Sequence, residues 1–189
     1  MTETPIIEYE LLREGIKQNN IRIIDVRRED DYKAGHIKNS VNLPLAKLLN
    51  DDSVENIAKI AGELGISDST PVVIYDDTFG ALSSRVVWAL QYIGHSDVKL
   101  LNVTFSQWKE LGLEITTKVP KIEKSIHSIK IKSDIMATAD YLEKVKDKKN
   151  VVIIDNRERL NFLEQHIPGA INIPYRTLAT DGQLSLIHI

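Results

Sequence analysis

The chain has 189 residues, 42% of them hydrophobic and 27% charged, with a net charge of -3 and no cysteine. That balance fits an ordinary folded protein and argues against sequence-independent binding of nucleic acid, which draws on an excess of Lys and Arg. The missing cysteine excludes disulfides, thiolate metal sites and a cysteine nucleophile within these residues. No apolar run reaches the length of a membrane span, and Met1 to Pro5 show no basic, apolar signal pattern, so a cytoplasmic protein with no membrane partner is expected.

In chain order, the β-branched run Ile21 to Val26 predicts a strand that delivers Asp25 near its C-terminal end. Arg28 to Ala34 is too short and polar for more than a helical turn, which Gly35 ends, and Val41 to Leu43 predict a second strand stopped by Pro44. Val54, Ile57, Ala58, Ala61 and Leu64 recur at helical spacing up to Gly65. After Pro71, Val72 to Tyr75 read as a central parallel strand covered on both faces, followed by a polar loop, Asp76 to Ala81. A helix with the stripe Leu82, Val86, Ala89, Leu90 and Ile93 closes at Gly94, and a strand follows at Val98 to Leu101. The basic stretch Lys118 to Lys132, punctuated by Ile122, Ile126, Ile129 and Ile131, reads as a solvated linker. Alternating strands and helices predict an α/β fold with a mostly parallel sheet, whose ligands sit at the carboxyl ends of the strands. Here those ends are the Asp76 to Ala81 loop and the end of the Asp25 strand.

Ile23, Ile24, Asp25, Arg27, His36, Ile37, Asn42 and Pro44 reappear, in order and without a gap, as Ile153, Ile154, Asp155, Arg157, His166, Ile167, Asn172 and Pro174, 130 positions further on. Such an offset is of domain size, far beyond the period of a solenoid. The expected organisation is a complete domain at 1–117, a linker at 118–132 and an incomplete second copy at 133–189.

Asp25-Val26-Arg27, Tyr32, Gly35-His36-Ile37 and Val41-Asn42-Leu43-Pro44 resemble the opening signature of rhodanese-like sulfurtransferase domains. Tyr75-Asp76, Arg85, Val87-Trp88, Gly94-His95 and Trp108 resemble the remainder of the first domain of tandem thiosulfate or 3-mercaptopyruvate sulfurtransferases. Asp155-Asn156-Arg157 and His166 through Pro174 resemble the start of their second domain. The resemblance implies three-layer rhodanese-like domains and transfer of sulfane sulfur from a small anionic donor to cyanide or a thiol. The carrier is a cysteine persulfide, held in a cradle of backbone N–H groups, and no cofactor is needed. At the place of that cysteine the first copy has Asp76, which cannot hold transferable sulfur and fits the silent first domain of tandem members. The 130-residue offset puts the second active loop at about position 206, beyond Ile189, so no catalytic residue and no activity are expected in these residues.

Asp155 and Arg157 are candidate donor-binding residues, because guanidinium groups suit sulfonate-like and carboxylate anions. The family's donor-binding arginine precedes the aromatic matched by Phe162, but Asn161 stands there, and Arg159 is the candidate substitute. Asp25 and Arg27 read more readily as a tie between a strand end and a neighbouring loop, and His36 and His166 as turn-holding histidines. Ser83, Ser84, Asp76, Asp77 and His95 lack the elbow pattern of a serine hydrolase. The histidines show no metal-ligand spacing, so no metal is expected, and Trp88 and Trp108 read as core aromatics. Val103-Thr104 replaces the family's Gly-Gly, which predicts a different turn before Trp108. The run Leu184 to Ile189 follows no family pattern and resembles translated adapter sequence. Two rival readings are a rhodanese-like pair serving as a binding or regulatory module, and a phosphatase-like hydrolase, which also needs a cysteine.

Overall fold

The computed structural model describes residues 5–180 and 183–184, which fall into a first unit ending at Ser133 and a second beginning at Asp134. The first unit contains, in order, β1 (Ile6–Ile7), α1 (Tyr9–Gln18), β2 (Arg22–Asp25), α2 (Glu29–Ala34), β3 (His36–Ile37), β4 (Ser40–Asn42), α3 (Leu45–Asn50), α4 (Val54–Glu63), β5 (Val72–Tyr75), α5 (Ser83–Tyr92), β6 (Val98–Leu101), α6 (Phe105–Glu110) and β7 (Ile115–Thr116). Five strands make a parallel sheet in the order β1-β6-β5-β2-β4, while β3 and β7 pair antiparallel outside it.

Strand periodicity sorts the core into two layers. Ile24, Val72 and Ile74 point to one face, where they meet Leu48 of α3, Ile57 and Ala61 of α4, and Val86, Ala89 and Leu90 of α5. Ile23, Val73 and Tyr75 point to the other, against Leu12 of α1 and Phe105 and Trp108 of α6. All four residues of β5 are buried, as their apolar character predicted for a central strand. Helices on both faces make the three-layer α/β arrangement. The chain before Ile21 and the segment 45–50 carried no reading in the sequence, yet they supply the β1 edge strand, α1 and α3. Within 28–34, Glu29–Ala34 form a six-residue helix, slightly more than the expected turn. Before Trp108, Thr104 caps α6 in a capping box with Gln107, so the β-branched pair starts a helix in place of a glycine turn.

The segment 118–132, expected to be a solvated linker, lies against the first unit as an extended strap, with most of its side chains exposed. Its backbone N–H groups reach carbonyls at the C-terminal ends of two helices, Ser125 to Gly62 O at 2.9 Å, Lys130 to Ile93 O at 2.8 Å and Lys132 to Tyr92 O at 2.9 Å. The strap thus satisfies Tyr92 O and Ile93 O at the end of α5, and shares Gly62 O with Gly65 N of the turn that closes α4. Close approach requires glycine, since a Cβ on Gly62 or on Gly94 would stand 2.5 Å from a strap carbonyl oxygen, that of Ser125 or Lys130. Ile126 and Ile131 still face solvent, which is why isoleucine spacing alone did not reveal the packing.

The second unit contains α7 (Ala139–Val145), β8 (Ile154–Asp155), α8 (Arg159–Glu164), β9 (Ile171–Asn172) and the antiparallel pair β10 (Ala179–Thr180) and β11 (Gln183–Leu184). The pairing of β8 with β9, Ile154 to Ile171 and Asp155 to Asn172, repeats the register of β2 with β4. On the other side of β8 no strand pairs among the described residues, where β2 has β5. Val145 is the only buried side chain in this unit's described part, and Ile154, Ile167 and Ile171 are exposed. Amides of the second unit are therefore expected to exchange through local opening, and those of β2, β5 and β6 only through global unfolding. Exchange mass spectrometry should show the second unit reaching full deuteration orders of magnitude sooner; equal protection in both would contradict the exposed β8 edge. The reading of Leu184 to Ile189 as an adapter-like tail falls, from residue 185 on, outside the described residues. Among the described residues no helix is long and apolar enough to cross a membrane.

Candidate functional site

At the carboxyl end of β5 the chain turns through residues 76–82 into α5. Phe79 and Gly80 take left-handed φ values of 53° and 86°, which fold the loop back on itself and turn its N–H groups inward. Six donors converge on the Asp76 carboxylate, which is 3% exposed. Thr78 N (2.9 Å) and Gly80 N (3.0 Å) reach Oδ1. Leu82 N (3.0 Å), Ser83 N (2.9 Å), Thr78 Oγ1 (2.9 Å) and Ser83 Oγ (3.0 Å) reach Oδ2. Burial pushes this carboxyl up, but the bonds from Gly80, Ser83 and Thr78 outweigh it and hold it below its ordinary value. The loop and the first turn of α5 thus form an anion cradle, and the protein's own carboxylate fills it.

The end of β2 is organised by a second buried acid. Asp25, fully buried, accepts from Arg27 Nη2 at 2.6 Å and from Tyr75 Oη at 2.5 Å. Arg27 also donates to Gly35 O at 2.8 Å, and its guanidinium lies 3.6 Å from the centre of the Phe105 ring. Tyr75 Oη also accepts from Ile37 N, and burial, then Asp25, keeps its pKa well above the ordinary phenol value. These bonds tie the ends of two strands to the segment 35–40, as the structural reading of Asp25 and Arg27 held. His36 does the same through its ring nitrogens, with Tyr32 O at 2.8 Å and Lys118 O at 3.2 Å, while stacking on Tyr32. An open cleft of about 520 Å³ adjoins the cradle, lined in part by Arg27, Arg28, Asp77, Thr78, Phe105 and Lys109.

The second unit repeats the ion pair, the histidine Nδ1 contact and the asparagine bridge of the β2 arrangement. Arg157 Nη2 lies 2.6 Å from Asp155 Oδ2 and donates to Gln165 O, and His166 Nδ1 meets Phe162 O at 2.8 Å. Asn172 bridges Asp155 O and Arg157 O, as Asn42 bridges Asp25 O and Arg27 O. Arg157 holds the Asp155 carboxyl below its ordinary value. The difference is exposure: the Arg157 side chain is 52% exposed and that of Arg27 8%. Asp155 and Arg157 line a hollow of about 670 Å³ with Asn156, Gln165 and His166. Arg159, the first residue of α8, is not among its lining residues.

The hydrolase constellation is not assembled. Ser83 is spent on Asp76, whereas His95 bonds to Thr70 O, before the opposite end of β5. Trp108 is buried, and Trp88 packs half-buried on the core, stacked on Tyr92. Thr78 and Ser83 as cradle donors were missed; their spacing after Asp76 was the available signal. No group of three or more potential metal ligands occurs among the described residues.

A parallel sheet whose central strand runs into a nest of N–H groups at a helix N-terminus defines a class of α/β domains built to hold an anion at that point. The Rhodanese-like domain profile matches residues 8–111 and again 138–187. The chain belongs to the rhodanese-like domain family. It is 33% identical over 144 residues to a probable 3-mercaptopyruvate sulfurtransferase of Schizosaccharomyces pombe, a match covering 68% of this chain and 48% of the relative. It is 27% identical to the sulfur carrier protein TtuD of Thermus thermophilus, over 94% of this chain and 72% of that protein. The chain thus spans about half the length of the fission-yeast relative. The crystal structure of SseA from Escherichia coli, described as a 3-mercaptopyruvate sulfotransferase with the rhodanese fold, superposes with a TM-score of 0.85 at 23% identity, covering 96% of this chain and 79% of SseA.

Proposed function

We propose that these residues are the non-catalytic first rhodanese-like domain, at 1–117, and the opening of a second, at 133–189, of a sulfurtransferase of the thiosulfate or 3-mercaptopyruvate type. The strap at 118–132 joins them. The observation that carries the reading is the filled cradle: where the chemistry needs a thiolate, Asp76 supplies a carboxylate held by six donors. In the whole protein a cysteine thiolate outside these residues attacks the donor's sulfane sulfur. The sulfur–sulfur bond of a persulfide forms as the donor's bond to that sulfur breaks, releasing sulfite, or the enolate of pyruvate, which takes up a proton. Cyanide or a thiol then attacks the outer sulfur, and the cysteine leaves as thiolate. Arg157, paired to Asp155, and Arg159 are the groups here that would attract the donor's anion.

The test is sulfur transfer from thiosulfate and from mercaptopyruvate, to cyanide and to a thiol, by the chain extended to its natural stop codon beside the 189-residue chain. Activity in the extended form and background turnover by the 189 residues is the expected result. A folded extended form with no activity toward either donor would replace this reading with that of a binding or regulatory module.

A further inference from the structure

His95 and His127 meet in the buried seam between the strap and the first unit, 0% and 7% exposed. His95 Nδ1 lies 3.1 Å from His127 Nε2. The outer nitrogen of each ring faces a backbone carbonyl, His95 Nε2 with Thr70 O at 3.0 Å and His127 Nδ1 with Ser128 O at 2.7 Å. A carbonyl only accepts, so each outer nitrogen must carry a hydrogen, and the inner contact needs one more. Two neutral rings bring two N–H hydrogens to these three contacts. With both outer bonds made, the inner nitrogens face each other as two lone pairs; with the inner bond made, one outer nitrogen turns a lone pair to a carbonyl.

We propose that His95 and His127 form a proton-binding clasp, sharing one extra proton between His95 Nδ1 and His127 Nε2, and that this proton fastens the 118–132 strap to the first unit. The three-hydrogen, singly charged pair is the one state in which all three contacts are hydrogen bonds. Burial, then the charge of His127, lowers the His95 pKa, so the rings do not carry a charge each. Three charged groups face the pair. Asp68, from the loop before β5, has Oδ1 3.9 Å from His127 Nδ1 and accepts from Ser128 N and Oγ. Lys130 of the strap has Nζ 3.8 Å from Asp68 Oδ2, and Asp97, before β6, favours the charged form of His95. Two carboxylates against one ammonium leave room for one positive charge. Because the bridge exists only with the strap in place, the docked pair holds one extra proton where separated rings, with pKa values of about 6.5, would hold none at alkaline pH and two at acid pH. Docking is therefore strongest near neutral pH, weakens as pH rises through the pair's first step, and weakens again where the second ring would charge.

The experiment is imidazole nitrogen NMR of the 189-residue chain from pH 5 to 9, with amide-exchange protection factors, corrected for intrinsic rate, at Ser125, Lys130 and Lys132. Both rings should respond together to a single proton, and protection at the three amides should fall at least tenfold across that step. In His127→Gln a neutral side-chain N–H can serve His95 Nδ1, so strap protection should lose its pH dependence. Two rings titrating independently, protection unchanged across the step, or pH dependence surviving in the variant would each overturn the clasp. So would ring signals that answer to added zinc and not to pH, which would give the inner nitrogens to a metal.

Discussion

Replacing Asp25 with alanine is expected to cost the first unit about 3–5 kcal/mol, because it leaves the Arg27 guanidinium buried without its counter-charge. That is a large share of the roughly 5–15 kcal/mol that holds an ordinary domain together. Tyr75 Oη would also lose the Asp25 carboxylate, the group that holds it and Arg27 together where both reach the segment 35–40. Urea denaturation followed by tryptophan fluorescence reads this directly, since Trp88 and Trp108 both lie in the first unit. Asp155→Ala removes the same bonds from the second unit but leaves Arg157 in water, so circular dichroism and exchange should scarcely change. The double variant Asp25→Ala, Arg27→Met should recover part of the loss, because it no longer buries an unpaired charge. If Asp25→Ala were as mild as Asp155→Ala, the buried network would not be what joins the strand ends.

Asp76→Asn should be the next most damaging change, at about 2–3 kcal/mol. The substitution keeps shape and volume but puts an NH2 group among six donors, so at least one pair of N–H or O–H groups must face another donor. Its pH signature separates it from a packing defect. The folded Asp76 pKa lies below the unfolded value of about 3.9, so its contribution is fully present above about pH 4. It is lost as pH falls through the lower, folded value. Acid unfolding below pH 4 should therefore be shallower in Asp76→Asn than in the native chain. An unchanged acid limb, with native stability at pH 7, would mean that the cradle does not depend on the charge.

The strands of the sheet were legible because each is a short apolar run closed by a turn residue. Val72 to Tyr75 and Val98 to Leu101 were read to the residue, and β2 to within one residue at each end. The site was legible as a location, the loop after β5, and as a chemical vacancy, an acid where sulfur chemistry needs a thiol. Its donors were not, because Thr78, Gly80 and Ser83 acquire their role only when two left-handed residues turn the loop inward. The strap escaped because it has no periodicity of its own; carbonyls at the ends of α4 and α5 hold it, and these belong to distant sequence.

Periodicity and spacing along the chain determine the α/β alternation, the repeat at 130 positions, the absence of a thiol and the local motif in which an aspartate grips the arginine two residues on. Burial is a different matter. Asp25–Arg27 and Asp155–Arg157 share their bonds almost to the tenth of an ångström, yet one arginine is enclosed and the other open. A strand two residues from its partner sets local geometry by covalent connection. Its dielectric surroundings are set by what folds over it, and in the first unit that is β5 and α6, from far along the chain. Tertiary structure alone therefore decided which ion pair is enclosed and which is open among these residues.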